Sequence, residues 1–200
     1  MLSSVVGRIS HLSFSRSVRH LSVLRVGVDE AGRGAVLGPM VISSVLLDSK
    51  EDEYFKKIGV KDSKELLPEK RSSLYSSILD RVSRSYSYHL SSLSIDKLRK
   101  QGLSMNRIEE NHILNLLSRF LKDDVDEVIV DAFVSKKNRL DTEVQKLFPN
   151  SVVKCEFHAD ANHICVAAAS IVAKVGAICS FRCVGGARSG YFAVVAGAGR

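Results

Sequence analysis

The sequence predicts an α/β fold with a mixed central sheet flanked by helices. Two observations carry this. Strand-like segments come first in the chain, and strand-like and helix-like segments then alternate, an order that places helices on the faces of a sheet.

Arg25–Asp29 (RVGVD) reads as a short buried strand that ends in acid, followed by a glycine-rich turn. Pro39–Leu47 is β-branched and long enough to cross a core as a second strand. Leu67-Pro68-Glu69 opens a helix running to about Val82, with proline at its first turn and Ile78, Leu79 and Val82 on one face. Ser85–Leu93 alternates Tyr, Tyr and Leu with polar residues and reads as a third strand. Asn106–Leu121 sets Ile108, Ile113, Leu114, Leu116, Leu117 and Phe120 at helical spacing. Glu127–Val130 is a strand that runs straight into Asp131, Val144–Phe148 belongs to a further helix, and Ser151–Phe157 is a strand. Ala159–Val175 is an alanine-rich helix.

The chain has 29 Lys and Arg against 22 Asp and Glu, an excess that fits an acidic or phosphate-bearing partner without identifying one. No apolar run approaches the ~20 residues of a membrane-spanning helix, so no membrane partner is expected. Cys155, Cys165, Cys179 and Cys183 form no C-x-x-C pair, and reduced cysteines in an intracellular protein are the expectation. Acids are absent before Asp29 and after Asp160. Residues 1–23 are an Arg- and Ser-rich leader. It resembles a mitochondrial presequence, and it equally fits a disordered extension in a nuclear or cytoplasmic protein. Residues 24–175 form the expected catalytic domain, and residues 176–200 a divergent glycine-rich tail without acid or lysine.

Asp29 and Glu30 follow one apolar strand, Asp131 follows another, and Asp160 lies between a strand and the alanine-rich helix. Carboxylates on strand ends are held by rigid backbone, and a cation offsets the desolvation of such a charge cluster. Hard oxygen donors select Mg²⁺ or Mn²⁺, and a pair of such ions suits phosphodiester cleavage. Any one of these acids alone would read as a turn or cap residue.

The local motifs bind them together. Asp29-Glu30-Ala31-Gly32-Arg33-Gly34 with Gly38-Pro39-Met40-Val41 resembles the opening signature of the type 2 ribonuclease H family. Lys61-Asp62-Ser63-Lys64-Glu65-Leu66, Val128-Ile129-Val130-Asp131 and Phe157-His158-Ala159-Asp160-Ala161 are similar to its later blocks, in order. Ala167–Val175 looks like the helix that follows, and Met105-Asn106-Arg107-Ile108-Glu109 resembles the archaeal and eukaryotic version.

This resemblance implies a ribonuclease H-like fold and hydrolysis of RNA in RNA–DNA hybrids, including the bond 5′ of a single ribonucleotide in duplex DNA. It implies two Mg²⁺ or Mn²⁺ ions on Asp29, Glu30, Asp131 and Asp160. The Gly32-Arg33-Gly34 turn would read the ribose 2′-hydroxyl, the one handle separating RNA from DNA at a nucleotide. Glycines admit a close backbone approach, and an arginine fork grips phosphate. Outside this context the same residues read as a plain strand-to-strand turn. Lys64 would bind a backbone phosphate. Lys174 fits either a nucleic-acid contact or a snorkelling helix lysine, and His158 and His163 receive no role. Eukaryotic members work with accessory subunits of a ribonuclease H2 complex, which are partners the resemblance also implies.

Past Val175 the sequence departs from the family. The usual Arg-Asp pair is absent, and Ser189-Gly190-Tyr191 is followed by Phe192 where the family has proline. The expectation is therefore an incomplete substrate platform. Two competing readings stay open: a non-catalytic relative that binds hybrids or a partner subunit, and a metal-dependent phosphatase for small molecules. The second would need neither the Gly-Arg-Gly turn nor a basic surface.

Overall fold

A computed structural model of the chain describes residues 22–34, 38–60, 66–132, 139–182 and 190–194. Among them, six strands form one mixed sheet in the order β5-β4-β1-β2-β3-β6. β1 (Leu24–Ala31), β2 (Met40–Asp48) and β3 (Arg84–Leu90) make an antiparallel meander, with Leu24 opposite Asp48 and Ala31 opposite Val41. β4 (Glu127–Asp131) and β5 (Val152–Glu156) extend the sheet in parallel from the other side of β1.

The central strands are near-continuous apolar runs because both faces of the sheet are covered. Val26, Val28, Val128 and Val130 point to one face. There they meet Ile108, Ile113 and Leu117 of α4 (Met105–Leu117) and Leu140 and Val144 of α5 (Arg139–Leu147). Ile129, Val45 and Leu47 point to the other face. That face is covered by α1 (Asp52–Ile58), α2 (Pro68–Leu79) and α7 (Ile164–Arg182) through Phe55, Leu74, Ile78 and the alanines of α7. The buried stretch of α7 is apolar on nearly all sides, as a helix sandwiched between a sheet and another helix must be, with Ser170 and Lys174 the polar exceptions. The two serines inside β2 are satisfied: Ser43 Oγ shares a 2.7 Å hydrogen bond with Ser87 Oγ, and Ser44 Oγ donates to the Tyr86 carbonyl at 3.3 Å.

Several boundaries differ from the sequence expectation. β3 stops at Leu90, because Ser91 Oγ accepts from the Ser94 N–H and starts α3 (Ser92–Lys100). The helix expected over Asn106–Leu121 is α4 plus a 3₁₀ turn, Ser118–Phe120. The alanine-rich helix is two: α6 (Ala159–Asn162) ends at His163, whose backbone is extended, and α7 begins after it. α7 also passes Val175 and continues to Arg182, tethered by a 2.6 Å hydrogen bond between Ser180 Oγ and His89 Nδ1 of β3. Gly190–Val194 forms the edge strand β6, antiparallel to β3. Among the described residues no helix is long and apolar enough to cross a membrane. Cys155, Cys165 and Cys179 are free thiols, and burial pushes the first two upward in pKa. Residues 1–21 of the leader lie outside the described residues.

Candidate active site

β1 and β4 are parallel neighbours with Val28 opposite Val130, so the next residue on each, Asp29 and Asp131, projects from the same end of the sheet. Both follow valines that face α4 and α5, and so alternate toward the α7 face themselves. β5 ends level with them, its Glu156 opposite Asp131. The chain then turns through His158 in the left-handed region (φ 55°) and enters α6. The Ala159 N–H donates to Asp131 Oδ1 at 3.3 Å, which seats Asp160 next to the strand ends. One oxygen from each of Asp29, Asp131 and Asp160 lies within 4.8 Å of the others. From α7, Ser170 hydrogen-bonds Asp29, and Lys174 Nζ donates to Ser170 Oγ at 2.7 Å.

Glu30 alternates toward the α4 face and is partly buried. It lines the same cavity of about 270 Å³ as the three aspartates, Arg33 and Lys174, without joining the triplet. Across from it stands Glu109 of α4, fully buried, its Oε2 3.0 Å from Arg33 Nε. Arg33 Nη2 also donates to Asn106 Oδ1 at 2.6 Å. Gly32 adopts φ 81°, and a side-chain carbon there would come 2.5 Å from the Pro39 carbonyl oxygen, so the turn requires glycine. Gly32, Arg33 and Gly34 also line a second cavity of about 620 Å³, walled on its far side by Ile95, Asp96 and Arg99 of α3.

The electrostatics are those of a negative cluster short of counter-charge. Burial, then repulsion from Glu30 and Asp131, raises Asp29 well above the usual carboxylate range, against the pull of Ser170 and Lys174. Burial, then Glu109 and Asp131, pushes Glu30 up to about 7. Burial, opposed by Arg33 and reinforced by Asp29, Glu110 and Asp131, pushes Glu109 up to about 8. Asp160 is 2% exposed, and among the described residues neither of its carboxylate oxygens has a hydrogen-bond partner. Unsatisfied buried carboxylate oxygens are costly, and hard oxygen donors grouped so closely fit a divalent cation such as Mg²⁺ or Mn²⁺. The donor set therefore fits the metal expected from the sequence.

A pH dependence follows. Acids raised in the folded state hold protons that the unfolded chain has already released. Their stabilisation is therefore complete below the ordinary carboxylate range and is lost as pH rises through 7 to 8. In chelator, the thermal midpoint should fall between about pH 5 and 9, and Mg²⁺ or Mn²⁺ should restore it at the upper end. A midpoint that rises with pH without metal would contradict this.

The structure brings Asp29, Asp131 and Asp160 together, places Glu30 in the same cavity, puts Gly32 and Arg33 on its wall, and places Gly34 with them on the neighbouring larger cavity. Ser63 and Lys64 lie outside the described residues. Lys174 points into the site rather than snorkelling away, while His163 Nε2 pairs with Glu156 at 3.2 Å. Sequence reasoning missed Glu109 and Ser170. The signal for Glu109 was present: an acid one turn before Ile113, on the apolar stripe of a helix, is an anomaly that calls for a partner.

Residues 26–189 match the family model described as Ribonuclease HII. The Ribonuclease HII of Methanothermobacter thermautotrophicus is 39% identical over 150 residues, which cover 75% of this chain and 71% of that one. The crystal structure of the ribonuclease H2 from Pyrococcus horikoshii OT3 superposes with a TM-score of 0.72 at 33% identity, covering 81% of this chain and 75% of that one. The RNase HII of Archaeoglobus fulgidus, solved in a complex with PCNA, gives 0.71 at 31% identity, covering 81% and 76%.

Proposed function

The chain belongs to the ribonuclease HII family of endonucleases, and on that premise we propose that it hydrolyses RNA in RNA–DNA hybrids by two-metal-ion catalysis, cutting also on the 5′ side of a single ribonucleotide in duplex DNA. The single observation that carries this reading is the triplet of Asp29, Asp131 and Asp160, within 4.8 Å of one another beside the Gly32–Gly34 turn.

In this reading Asp29, Glu30, Asp131 and Asp160 hold two Mg²⁺ or Mn²⁺ ions. Such ions, when bound, lower the pKa of an attacking water and offset charge on the leaving oxygen. The chain supplies the rest. The ends of β1 and β4, and α6 seated on Asp131, hold the carboxylates in place before substrate arrives. Ser170 and Lys174 orient Asp29 from behind. The backbone of Gly32 and Gly34 approaches the ribose closely enough to read its 2′-hydroxyl, and Arg33 grips an adjacent phosphate. Lys64 binds a backbone phosphate of the substrate. Products carry a 3′-hydroxyl and a 5′-phosphate.

The test uses an end-labelled RNA–DNA hybrid beside all-DNA and all-RNA duplexes, with Mg²⁺, with Mn²⁺ and with chelator. Metal-dependent cleavage confined to the RNA strand of the hybrid is expected. A folded protein that binds the hybrid in every condition and cuts it in none would overturn the catalytic reading in favour of a non-catalytic relative.

A further inference from the structure

Arg33 is the shared wall of two cavities, the acidic one that holds the carboxylates and the larger one bounded by α3. It stands in a turn, a setting that would leave a long, rotamer-rich side chain poorly ordered. The structure instead fixes it from behind. Glu109 Oε2 forms an ion pair with Nε at 3.0 Å and Asn106 Oδ1 accepts a hydrogen bond from Nη2 at 2.6 Å, so two different nitrogens of one planar group are engaged by two residues almost a turn apart on α4. α4 itself is immobilised by Ile108, Ile113, Leu116 and Leu117, each at most 1% exposed. Ser104 starts it with a side-chain cap to the Arg107 N–H.

A fully buried carboxylate is an expensive way to anchor a helix to a sheet, since a leucine at position 109 would pack without desolvating a charge. Glu109 moreover sits among like charges, facing Glu30, Asp29, Asp131 and its own neighbour Glu110. Packing alone gives no reason for an acid there. Among the described residues its counter-charge is Arg33, and an ion pair at Nε together with the Asn106 hydrogen bond at Nη2 fixes the plane as well as the position of the guanidinium.

We propose that Glu109 and Asn106 are positioning residues that set the Arg33 guanidinium for the substrate strand, so that the Met105–Glu109 block serves recognition through the turn it backs. This rests on the reading of the Gly32–Gly34 turn as the element that engages ribonucleotide-containing duplex. α4 supplies no metal ligand in it, so the effect is read on substrate binding.

The experiment is a double-mutant cycle read by fluorescence anisotropy on a duplex with one ribonucleotide, in chelator so that neither metal affinity nor cleavage enters. Glu109→Gln, with its equal volume, should weaken binding roughly tenfold, as expected for loss of the buried charge that pairs with Arg33, and Asn106→Ala, at the exposed end, by less. Arg33→Ala should weaken it at least as much as Glu109→Gln. In the Arg33→Ala background neither α4 substitution should weaken binding further, and Glu109→Gln should raise the thermal midpoint by removing an orphaned carboxylate. Glu109→Asp should recover part of the lost affinity. Independent, multiplying effects in the cycle, or a Glu109→Gln protein with lowered stability and unchanged affinity, would overturn the inference. Asn106→Ala, a surface change, keeps the cycle informative if the Glu109 variants fold poorly. A wild-type protein that does not bind the duplex would defeat the proposed function itself. Wild-type binding with a multiplicative cycle would defeat only the role given to α4.

Discussion

Asn in place of Asp29 should lower cleavage at least ~10³-fold while leaving the metal-free protein as stable as wild type or more so. The two halves come from the same geometry. Asp29 is 5% exposed at the end of β1, with Glu30 beside it and Asp131 on the next strand, so its charged form is disfavoured by burial and by both neighbours. The amide keeps the shape and the hydrogen bond with Ser170 but removes one of the negative charges that would draw a cation. Asp131→Asn should behave likewise. Opposed signs in activity and stability are the mark of a site whose carboxylates are kept for chemistry at a cost to the fold. Rates on a labelled hybrid and thermal midpoints in chelator give the two readings. A variant that loses activity only in step with its stability would point to a structural role for Asp29.

Gly27→Ala should be among the most damaging single changes outside the acids. A methyl group at this position would lie 2.3–2.5 Å from the backbone of Cys165 and Val166, at the start of α7. Those atoms belong to a helix packed on β1 on one side and on α2 on the other, so they cannot yield as a flexible side chain would. Ordinary overpacking costs about 1–3 kcal/mol, and a backbone collision under a buried helix should exceed ~4 kcal/mol. Against a total stability of about 5–15 kcal/mol, that leaves little folded protein. Since α7 carries Ser170 and Lys174, any surviving fold would also have a displaced site. Urea unfolding of whatever remains soluble measures the effect. A wild-type midpoint would show that α7 does not press on β1 as described.

The sheet and its acids were legible because the signals are local and redundant. The apolar runs ending in Asp29 and Asp131 record both the covered faces of the sheet and the ends where side chains emerge. What brings those ends together is the parallel pairing of β1 with β4, a contact across about a hundred residues that no local pattern states. The missed elements have physical reasons. α1 is closed by Gly59 and buries mainly Phe55, while α3 follows a serine-rich strand whose alternation continues into its first turn. The tail beyond Val175 has no acid or lysine to mark a helix, yet α7 continues because its next residues, Gly176, Ala177 and Ile178, carry on an apolar helix already lodged against the sheet. Glu109 went unseen for another reason. An acid on an apolar stripe reveals only that a partner exists, and Arg33 is found only when α4 is laid against the β1–β2 turn.

The most direct test of the whole account is the incision map of a DNA duplex carrying one ribonucleotide, resolved to the nucleotide, with Mg²⁺ or Mn²⁺ and with chelator. One metal-dependent cut is expected, on the 5′ side of the ribonucleotide, and it should disappear with Asp29→Asn. Cutting that ignores the ribonucleotide, or that persists at the wild-type rate with Asp29→Asn, would contradict it.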